Sequence, residues 1–189
     1  FLCPAESPEG QSVGVVKNLA YMTCISGYSD PNCIYDYIIK DIIDLNDEHH
    51  DPEYFYDKVK VIFNGRWLGI VTNPIEFYQK LKEKKYKGLI HIYTSIVFNI
   101  NDKIITIYND SGRLVRPLYR VKNNKLIINK EIIDKIDKHE LLWDDLIVSA
   151  KIKDSVIEYI DSEEQKYNMI CMKYKELNNR FHYTHAEIH

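Results

Sequence analysis

The segment from Val59 to Val71 constrains the fold of this chain more than any other stretch. It consists of Val-Lys-Val-Ile-Phe, then Asn64-Gly65, then Arg-Trp-Leu-Gly-Ile-Val. β-Branched and aromatic residues favour strands, and Asn-Gly readily adopts the positive φ angles of a two-residue turn. The pattern therefore predicts an antiparallel β-hairpin, and with it a sheet in the middle of the chain.

Helix-start signals precede and follow this hairpin. Asp30-Pro31 and Asn73-Pro74 each place a side-chain oxygen at the cap position and a proline in the first turn. Glu76 is spaced to close a capping box with Asn73, and the second helix is expected to stop at Gly88. Further helices are expected near residues 130–137 and 140–149.

The remaining regular structure is predicted to be extended. Apolar segments bounded by Asn, Asp, Ser or Gly predict strands near residues 89–98, 103–108, 114–121 and 156–160. Together these elements predict an α+β fold with antiparallel hairpins, in which residues 59–121 form one compact unit. The acidic stretch 44–57 follows neither the helical nor the strand period, so a linker loop is expected there.

Composition sets the size and the class of the protein. With 189 residues and 45% hydrophobic content the chain can bury a core, as one large or two small domains. No run approaches the roughly 18 apolar residues of a membrane span, so no membrane partner is expected. The four cysteines include no Cys-x-x-Cys pair, and free thiols are expected. Because the sequence starts at Phe1, we expect a piece of a longer protein.

The net charge of −3 conceals an uneven distribution. Residues 1–60 carry 4 basic and 11 acidic side chains, whereas residues 61–138 carry 15 basic and 7 acidic ones. A basic middle can attract nucleic acid. The lysines at positions 80, 82, 84, 85 and 87 could form a phosphate-contacting face, or could simply complement the negative end of the second helix. Arg113, Arg116 and Arg120 are equally ambiguous.

Two further clusters carry candidate chemistry. His182, His185 and His189 could hold zinc on a helix, but Phe-His-Tyr-Thr-His favours a strand, where residues 182 and 185 point to opposite faces. Surface or core histidines are therefore favoured over a metal site. Asp161-Ser-Glu-Glu164 could serve a hard cation or paired-carboxylate catalysis, but a solvated turn after the preceding strand is favoured.

Residues 8–12, Pro8, Glu9, Gly10, Gln11 and Ser12, form the most unusual segment. Proline restricts φ, glycine lets a backbone approach a ligand closely, and glutamine offers both a donor and an acceptor. The composition predicts a shaped loop on an apolar base that starts at residue 13.

This loop belongs to a long motif, Leu2-Cys-Pro-Ala-Glu-Ser-Pro-Glu-Gly-Gln-x-x-Gly14, continued by Val15-Val-Lys-Asn-Leu-Ala-Tyr-Met22. The motif closely resembles the end of the fork region in the second-largest subunit of multisubunit DNA-directed RNA polymerases. Similar segments follow in the same order: Phe63-Asn-Gly-Arg-Trp-Leu-Gly69 with Asn73-Pro74, Asp110-Ser-Gly-Arg-Leu-Val-Arg-Pro-Leu118, Val156-Ile-Glu-Tyr-Ile-Asp-Ser-Glu-Glu164, and Tyr183-Thr-His-Ala-Glu-Ile-His189. The resemblance is to the eukaryotic or large-DNA-virus type. Ala186 departs from it, since the family usually has cysteine there.

The resemblance implies a division into five parts: the end of the fork domain and an acidic linker (1–58), an external 1 domain (59–121), a linker (122–139), an external 2 domain (140–180) and the start of the hybrid-binding domain (181–189). It also implies that residues 8–12 lie close to nucleic acid, near the downstream end of the RNA–DNA hybrid. The remainder is expected to be scaffold and docking surface.

The implied activity is DNA-templated RNA synthesis by an assembled enzyme. Mg²⁺ would be held by carboxylates of the largest subunit, and this chain would supply no catalytic residue, no metal ligand and no cofactor-binding residue. Its expected partners are the largest and other polymerase subunits, template DNA and nascent RNA, in the nucleus, or in the cytoplasm or virion of a virus. The alternative is a free-standing RNA- or protein-binding module without polymerase activity.

Overall fold

The computed structural model describes residues 1–45 and 52–186. In chain order its strands and helices are β1 (Cys24–Ile25), α1 (Pro31–Ile38), β2 (Ile43–Asp44), β3 (Val59–Phe63), β4 (Arg66–Val71), α2 (Pro74–Tyr86), β5 (Ser95–Asn99), β6 (Ile104–Tyr108), β7 (Leu114–Lys122), β8 (Lys125–Leu126), α3 (Lys130–Asp137), α4 (Trp143–Ile147), β9 (Ile157–Asp161), α5 (Ser162–Lys166), β10 (Ile170–Cys171) and β11 (Tyr183–His185). The predicted α+β class is confirmed, with two mixed sheets and short helices.

The first sheet has the strand order β2-β4-β3-β6-β5. Its centre is the predicted hairpin, in which Asn64 and Gly65 adopt φ angles of 46° and 81°. β3 also pairs in parallel with β6. Buried residues of α1, α2 and this sheet form one apolar cluster, which includes Ile38, Leu81 and Ile105. Apolar residues of the predicted hairpin thus lie in the core of the first sheet.

The second sheet is organised around the long strand β7. β7 pairs in antiparallel fashion with β1, β8, β9 and β11, and β11 pairs in parallel with β10. Residues 114–121 therefore belong to a different sheet from residues 59–108, so strand pairing crosses the expected 59–121 unit. The division of the chain into external domains remains a prediction.

The helix-cap predictions have mixed outcomes. The Asp30 side chain accepts a hydrogen bond from the backbone N–H of Asn32 at 2.9 Å, as its cap position predicts. The Asn73 side chain makes no cap hydrogen bond, so the predicted capping box is wrong. The ψ angle of Asn73 is 78°, outside the usual extended cap conformation, and Glu76 instead forms an ion pair with Lys80 at 3.2 Å.

Three predicted boundaries also change. The strand expected over 89–98 is confined to β5, because the chain turns at 91–94 and Ile90 packs into the first core. The helix expected over 140–149 is confined to α4. In the expected linker 44–57, β2 pairs with β4 and residues 52–55 form a 3₁₀ turn, while 46–51 lie outside the described residues. Within the described ranges, no helix is long and apolar enough to cross a membrane.

Candidate functional site

The amino-terminal loop is a closed, hairpin-like projection. Leu2 and Leu19 form an antiparallel bridge, and the backbone N–H of Cys3 donates to the carbonyl of Asn18 at 2.9 Å. The backbone N–H of Ala20 donates to the carbonyl of Phe1 at the same distance. These contacts hold the two ends of the loop together and leave its tip free of the two sheets.

The tip brings the five predicted site residues onto one tight turn. Residues Gly10–Ser12 form a 3₁₀ turn closed by a hydrogen bond from the backbone N–H of Val13 to the carbonyl of Gly10 at 3.2 Å. Gly10 has a φ of +82°, which strains any side chain larger than hydrogen. Glu9, Gly10, Gln11 and Ser12 are exposed, and Pro8 is half-buried. Sequence and backbone therefore agree that this turn is a shaped surface feature.

The side chains of Glu9 and Gln11 at the tip are exposed. No described residue forms a hydrogen bond or ion pair with the side chain of Glu9 or Gln11. The apolar residues that follow are also exposed, with Val15 at 78% and Tyr21 fully exposed. The turn thus exposes the carboxylate of Glu9, the amide of Gln11, the hydroxyl of Ser12 and the backbone of Gly10 next to exposed apolar residues.

A second constellation, which sequence reasoning did not identify, is buried between α2 and the second sheet. We call the side chains of Lys82, Lys85, Glu158 and Glu164 the buried ion cluster. The Lys82 ammonium lies 2.6 Å from Glu158 Oε1 and also contacts Glu164 Oε1. Lys85 Nζ lies 3.0 Å from Glu158 Oε1, and all four side chains are at most 6% exposed.

The two carboxylates of this cluster have different environments. Besides the lysines, Glu158 accepts hydrogen bonds from the hydroxyls of Tyr86 at 2.9 Å and Tyr183 at 2.8 Å. Burial opposes its ionisation, but Lys82 and Lys85 outweigh burial and hold its pKa well below the usual range. Glu164 Oε2 accepts no hydrogen bond, and burial raises the pKa of Glu164. Glu158 is therefore the carboxylate that the cluster holds ionised.

Burial opposes the charge of Lys82 as well. The two neighbouring carboxylates outweigh burial and raise the pKa of Lys82 well above its usual value. The two lysines and two glutamates of the cluster link α2 to β9 and α5. A cluster of this kind is a structural joint, because every charged group in it already faces an opposite charge.

The predicted solvated turn at Asp161–Glu164 is wrong. Asp161 caps α5: its Oδ1 accepts from the backbone N–H of Glu164 at 2.8 Å and from Ser95 Oγ at 2.9 Å. Its Oδ2 lies 2.9 Å from Arg113 Nη1. Asp161 and Glu164 are buried, so they form neither an exit turn nor an open cation site. The spacing Asp-Ser-Glu-Glu matches a helix-start signature, which could have revealed α5.

The basic residues of the middle region are largely used internally. Lys82 and Lys85 are buried, Lys80 pairs with Glu76, and the Lys84 ammonium lies 4.0 Å from the ring centre of Tyr37. The hypothesis of a continuous phosphate-contacting lysine face on α2 is therefore wrong. The alternative, in which these lysines only complement the negative end of the helix, does not explain why Lys82 and Lys85 are buried. Lys82 and Lys85 lie on the face of α2 that packs toward the second sheet, where they contact the carboxylates of the buried ion cluster.

The histidine prediction is tested only in part. His182 precedes β11 and is exposed, whereas His185 Nε2 lies 3.1 Å from Met172 Sδ. His189 lies outside the described residues. Within residues 1–45 and 52–186 there is no group of three or more His, Cys, Asp or Glu side chains that could hold a metal. The buried carboxylates face lysines, so the donors described in this chain do not fit Mg²⁺.

Three family models match the chain in order. They are RNA polymerase Rpb2 domain 3 over residues 1–25, domain 4 over residues 61–122 and domain 5 over residues 143–189. Together they account for more than half of the sequence. The chain belongs to the family of the second-largest subunit of DNA-directed RNA polymerase. The resemblance of the amino-terminal motif to this family is thereby confirmed.

Relatives from three lineages agree with this assignment. The chain is 34% identical over 201 residues to DNA-directed RNA polymerase II subunit RPB2 of Encephalitozoon cuniculi, covering 100% of the chain and 17% of that protein. It is 32% identical over 220 residues to DNA-directed RNA polymerase subunit 2 of Acanthamoeba polyphaga mimivirus, covering 100% and 18%. It is 31% identical over 197 residues to DNA-directed RNA polymerase subunit Rpo2 of Saccharolobus shibatae, covering 99% and 17%. The chain thus spans about a sixth of the length of these curated relatives.

Proposed function

We propose that this chain is the part of an RNA polymerase second-largest subunit in which residues 8–12 contact the RNA–DNA hybrid near the active centre. The observation that carries the proposal is the exposed, glycine-shaped turn at the end of a closed loop. Such a turn holds its backbone in one conformation before a ligand arrives, which lowers the entropy lost on contact. The activity of the assembled enzyme would be DNA-templated RNA synthesis.

Glu9 decides what kind of contact the turn can make. A carboxylate repels backbone phosphates, and no described cation neutralises it. We infer that Glu9 accepts a hydrogen bond from a sugar hydroxyl or a base edge, or holds a basic side chain from elsewhere in the subunit. Gln11, with both a donor and an acceptor, suits the same sugar and base groups.

The proposal assigns the chemistry to other parts of the enzyme. Mg²⁺ would be held by carboxylates of the largest subunit, and this chain would act through position alone. Its partners would be the largest and other polymerase subunits, template DNA and nascent RNA. The eukaryotic RNA polymerase II relatives support a nuclear location, and the mimivirus relative supports, for a viral protein, the cytoplasm or virion.

Substitution of Glu9 tests the proposal in the assembled polymerase. Loss of one hydrogen bond of about 1 kcal/mol would change the rate of single-nucleotide addition, or the rate of misincorporation, about fivefold in Glu9→Ala. Glu131→Ala, which removes an exposed carboxylate from α3, is the matched control and should leave both rates unchanged. Wild-type rates of addition and misincorporation in Glu9→Ala would refute the proposal.

The alternative, a free-standing interaction module, predicts a different biochemical result. Because two lysines of the basic middle are buried in the ion cluster, less of that charge faces solvent than the sequence suggests. Affinity purification of the full-length protein should recover a largest-subunit homologue. Recovery of a protein without any polymerase subunit would favour the alternative.

A further inference from the structure

A cleft lies at the seam between the two sheets. Its volume is about 600 Å³, within the range of about 300 to 1,000 Å³ that is usual for small-molecule sites. Residues of α2, β5 and β7 line it together with residues that flank α5 and β11. The cleft is far in sequence from the amino-terminal turn and takes no part in the function proposed above.

Several aromatic side chains contribute to the lining. Tyr78 and Phe98 lie side by side, with their ring centres 6.1 Å apart. Tyr167 lies at the rim, 46% exposed, and its hydroxyl accepts a hydrogen bond from Asn99 Nδ2 at 3.0 Å. Tyr78 and Phe98 also pack against the first core, so Tyr167 at the rim is, of these three rings, the one with the most exposed area for another ring. Aromatic faces held in this way are the usual platforms for unpaired bases.

Arg120 supplies a positioned positive charge in the same cleft. Its guanidinium lies 3.5 Å from the ring centre of Tyr86, and its Nη1 donates to the carbonyl of Ser155 at 2.7 Å. Within the described ranges, Arg120 forms no ion pair with a carboxylate. Its remaining donors suit a phosphate, which Arg binds with fixed geometry.

Other charges of the cleft partly cancel, and the exposed carboxylate of Glu83 also lines it. Lys122 pairs with Asp154 at 3.0 Å, and Lys82 at the floor faces the two glutamates of the buried ion cluster. Burial lowers the pKa of His182, so its imidazole is neutral at neutral pH and offers a ring rather than a charge. The arrangement is a ring-lined cleft with one available guanidinium.

We propose that this cleft binds an unpaired nucleobase with its attached phosphate, the base against the tyrosine and phenylalanine rings and the phosphate on Arg120. The aromatic rings of the lining can stack on a flat ring, and the Arg120 guanidinium can bind an anion attached to it. The source of this group is either a free nucleotide or a single-stranded nucleic acid.

Photo-crosslinking in the assembled polymerase tests the proposal. The probes are 5-iodouridine monophosphate and a single-stranded oligonucleotide that carries one 5-iodouridine, and the crosslinked peptides are identified by mass spectrometry. We expect adducts within 78–98 or 167–183. Competition by unlabelled uridine monophosphate identifies a free nucleotide as the ligand, whereas adducts formed only by the oligonucleotide identify a strand.

Two variants separate binding from misfolding. Tyr167→Ala removes a rim side chain and should reduce the crosslink yield about tenfold, as expected for the loss of one base-stacking ring. Arg120→Lys keeps the charge but loses the planar donor set, and it should weaken competition by nucleotides relative to nucleosides. Tyr174→Ala removes a tyrosine that is 68% exposed and does not line the cleft, so it should have no effect. Absence of adducts in the cleft with both probes, or an unchanged yield in Tyr167→Ala and Arg120→Lys, would overturn the proposal.

Discussion

The unequal environments of Glu158 and Glu164 predict unequal effects of the same substitution. Glu158 is 1% exposed and accepts from two lysines and two tyrosine hydroxyls at 2.6 to 3.0 Å. Removing one partner of a buried ion pair costs about 3 to 5 kcal/mol, and Glu158→Gln should lower the free energy of unfolding at pH 7 by that amount. Glu164 contacts Lys82, but its second oxygen lacks a hydrogen bond and burial raises its pKa, so replacing it with the neutral Gln should change the free energy of unfolding at pH 7 by less than about 1 kcal/mol.

The effects of the two substitutions on stability should depend on pH in opposite directions. The folded-state pKa of Glu158 is lowered, so its stabilisation is present above its ordinary value of 4.5 and is lost as the pH falls through the folded pKa. The folded-state pKa of Glu164 is raised, so its stabilisation is present below 4.5 and is lost as the pH rises through the folded pKa. The difference between the two variants should therefore be largest near pH 7 and shrink below pH 4.5.

Urea unfolding of the 189-residue chain, followed by tryptophan fluorescence between pH 7 and pH 3, measures both effects. Glu163→Gln is the matched control, because Glu163 pairs with Lys166 at the surface and should contribute less than about 1 kcal/mol. Equal costs for Glu158→Gln and Glu164→Gln at pH 7, or a difference that grows in acid, would refute the assignment of the two carboxylates.

Two further substitutions test the packing around the sheets. A methyl group at Gly69 would lie 2.1 Å from the carbonyl oxygen of Ile43, so Gly69→Ala should lower stability by about 1 to 3 kcal/mol, whereas Gly27→Ala, with no atom within 4 Å, should be tolerated in a thermal-unfolding assay. Arg113→Ala leaves the buried Asp161 carboxylate without its cation and should cost about 3 kcal/mol in urea unfolding, with Arg113→Lys intermediate. A neutral Gly69→Ala, or a fully stable Arg113→Ala, would contradict the contacts described.

Local signals predicted local structure well, and they failed where distant segments meet. Asn64-Gly65 and Asp30-Pro31 act through neighbouring backbone, and both behave as the sequence indicates. Lys82 and Lys85 looked like solvent-facing charges because their partners lie more than 70 residues away in the sequence. No periodicity reports a pairing of that separation, so the buried ion cluster could be found only from the tertiary structure.

The turn at residues 8–12 was predictable for a different reason, while its role as a site stays a prediction. Residues 8–12 are contiguous. Pro8 restricts the backbone and Gly10 permits its positive φ angle, so the turn is encoded within a few residues. The cleft between the sheets draws its lining from six separate segments, including those of Arg120 and Tyr167, and it leaves no comparable sequence pattern. The same distinction explains why the sequence suggested where β7 runs but not which sheet it joins.

The most direct test of the central claim is a crosslink from the turn itself. A photoreactive amino acid in place of Gln11, in an elongation complex of the assembled polymerase, should attach to nascent RNA within a few nucleotides of its 3′ end. The same substitution at Tyr174, which is 68% exposed and lies far along the chain, should not. Attachment from position 11 only to protein, with the transcript unlabelled, would contradict the account.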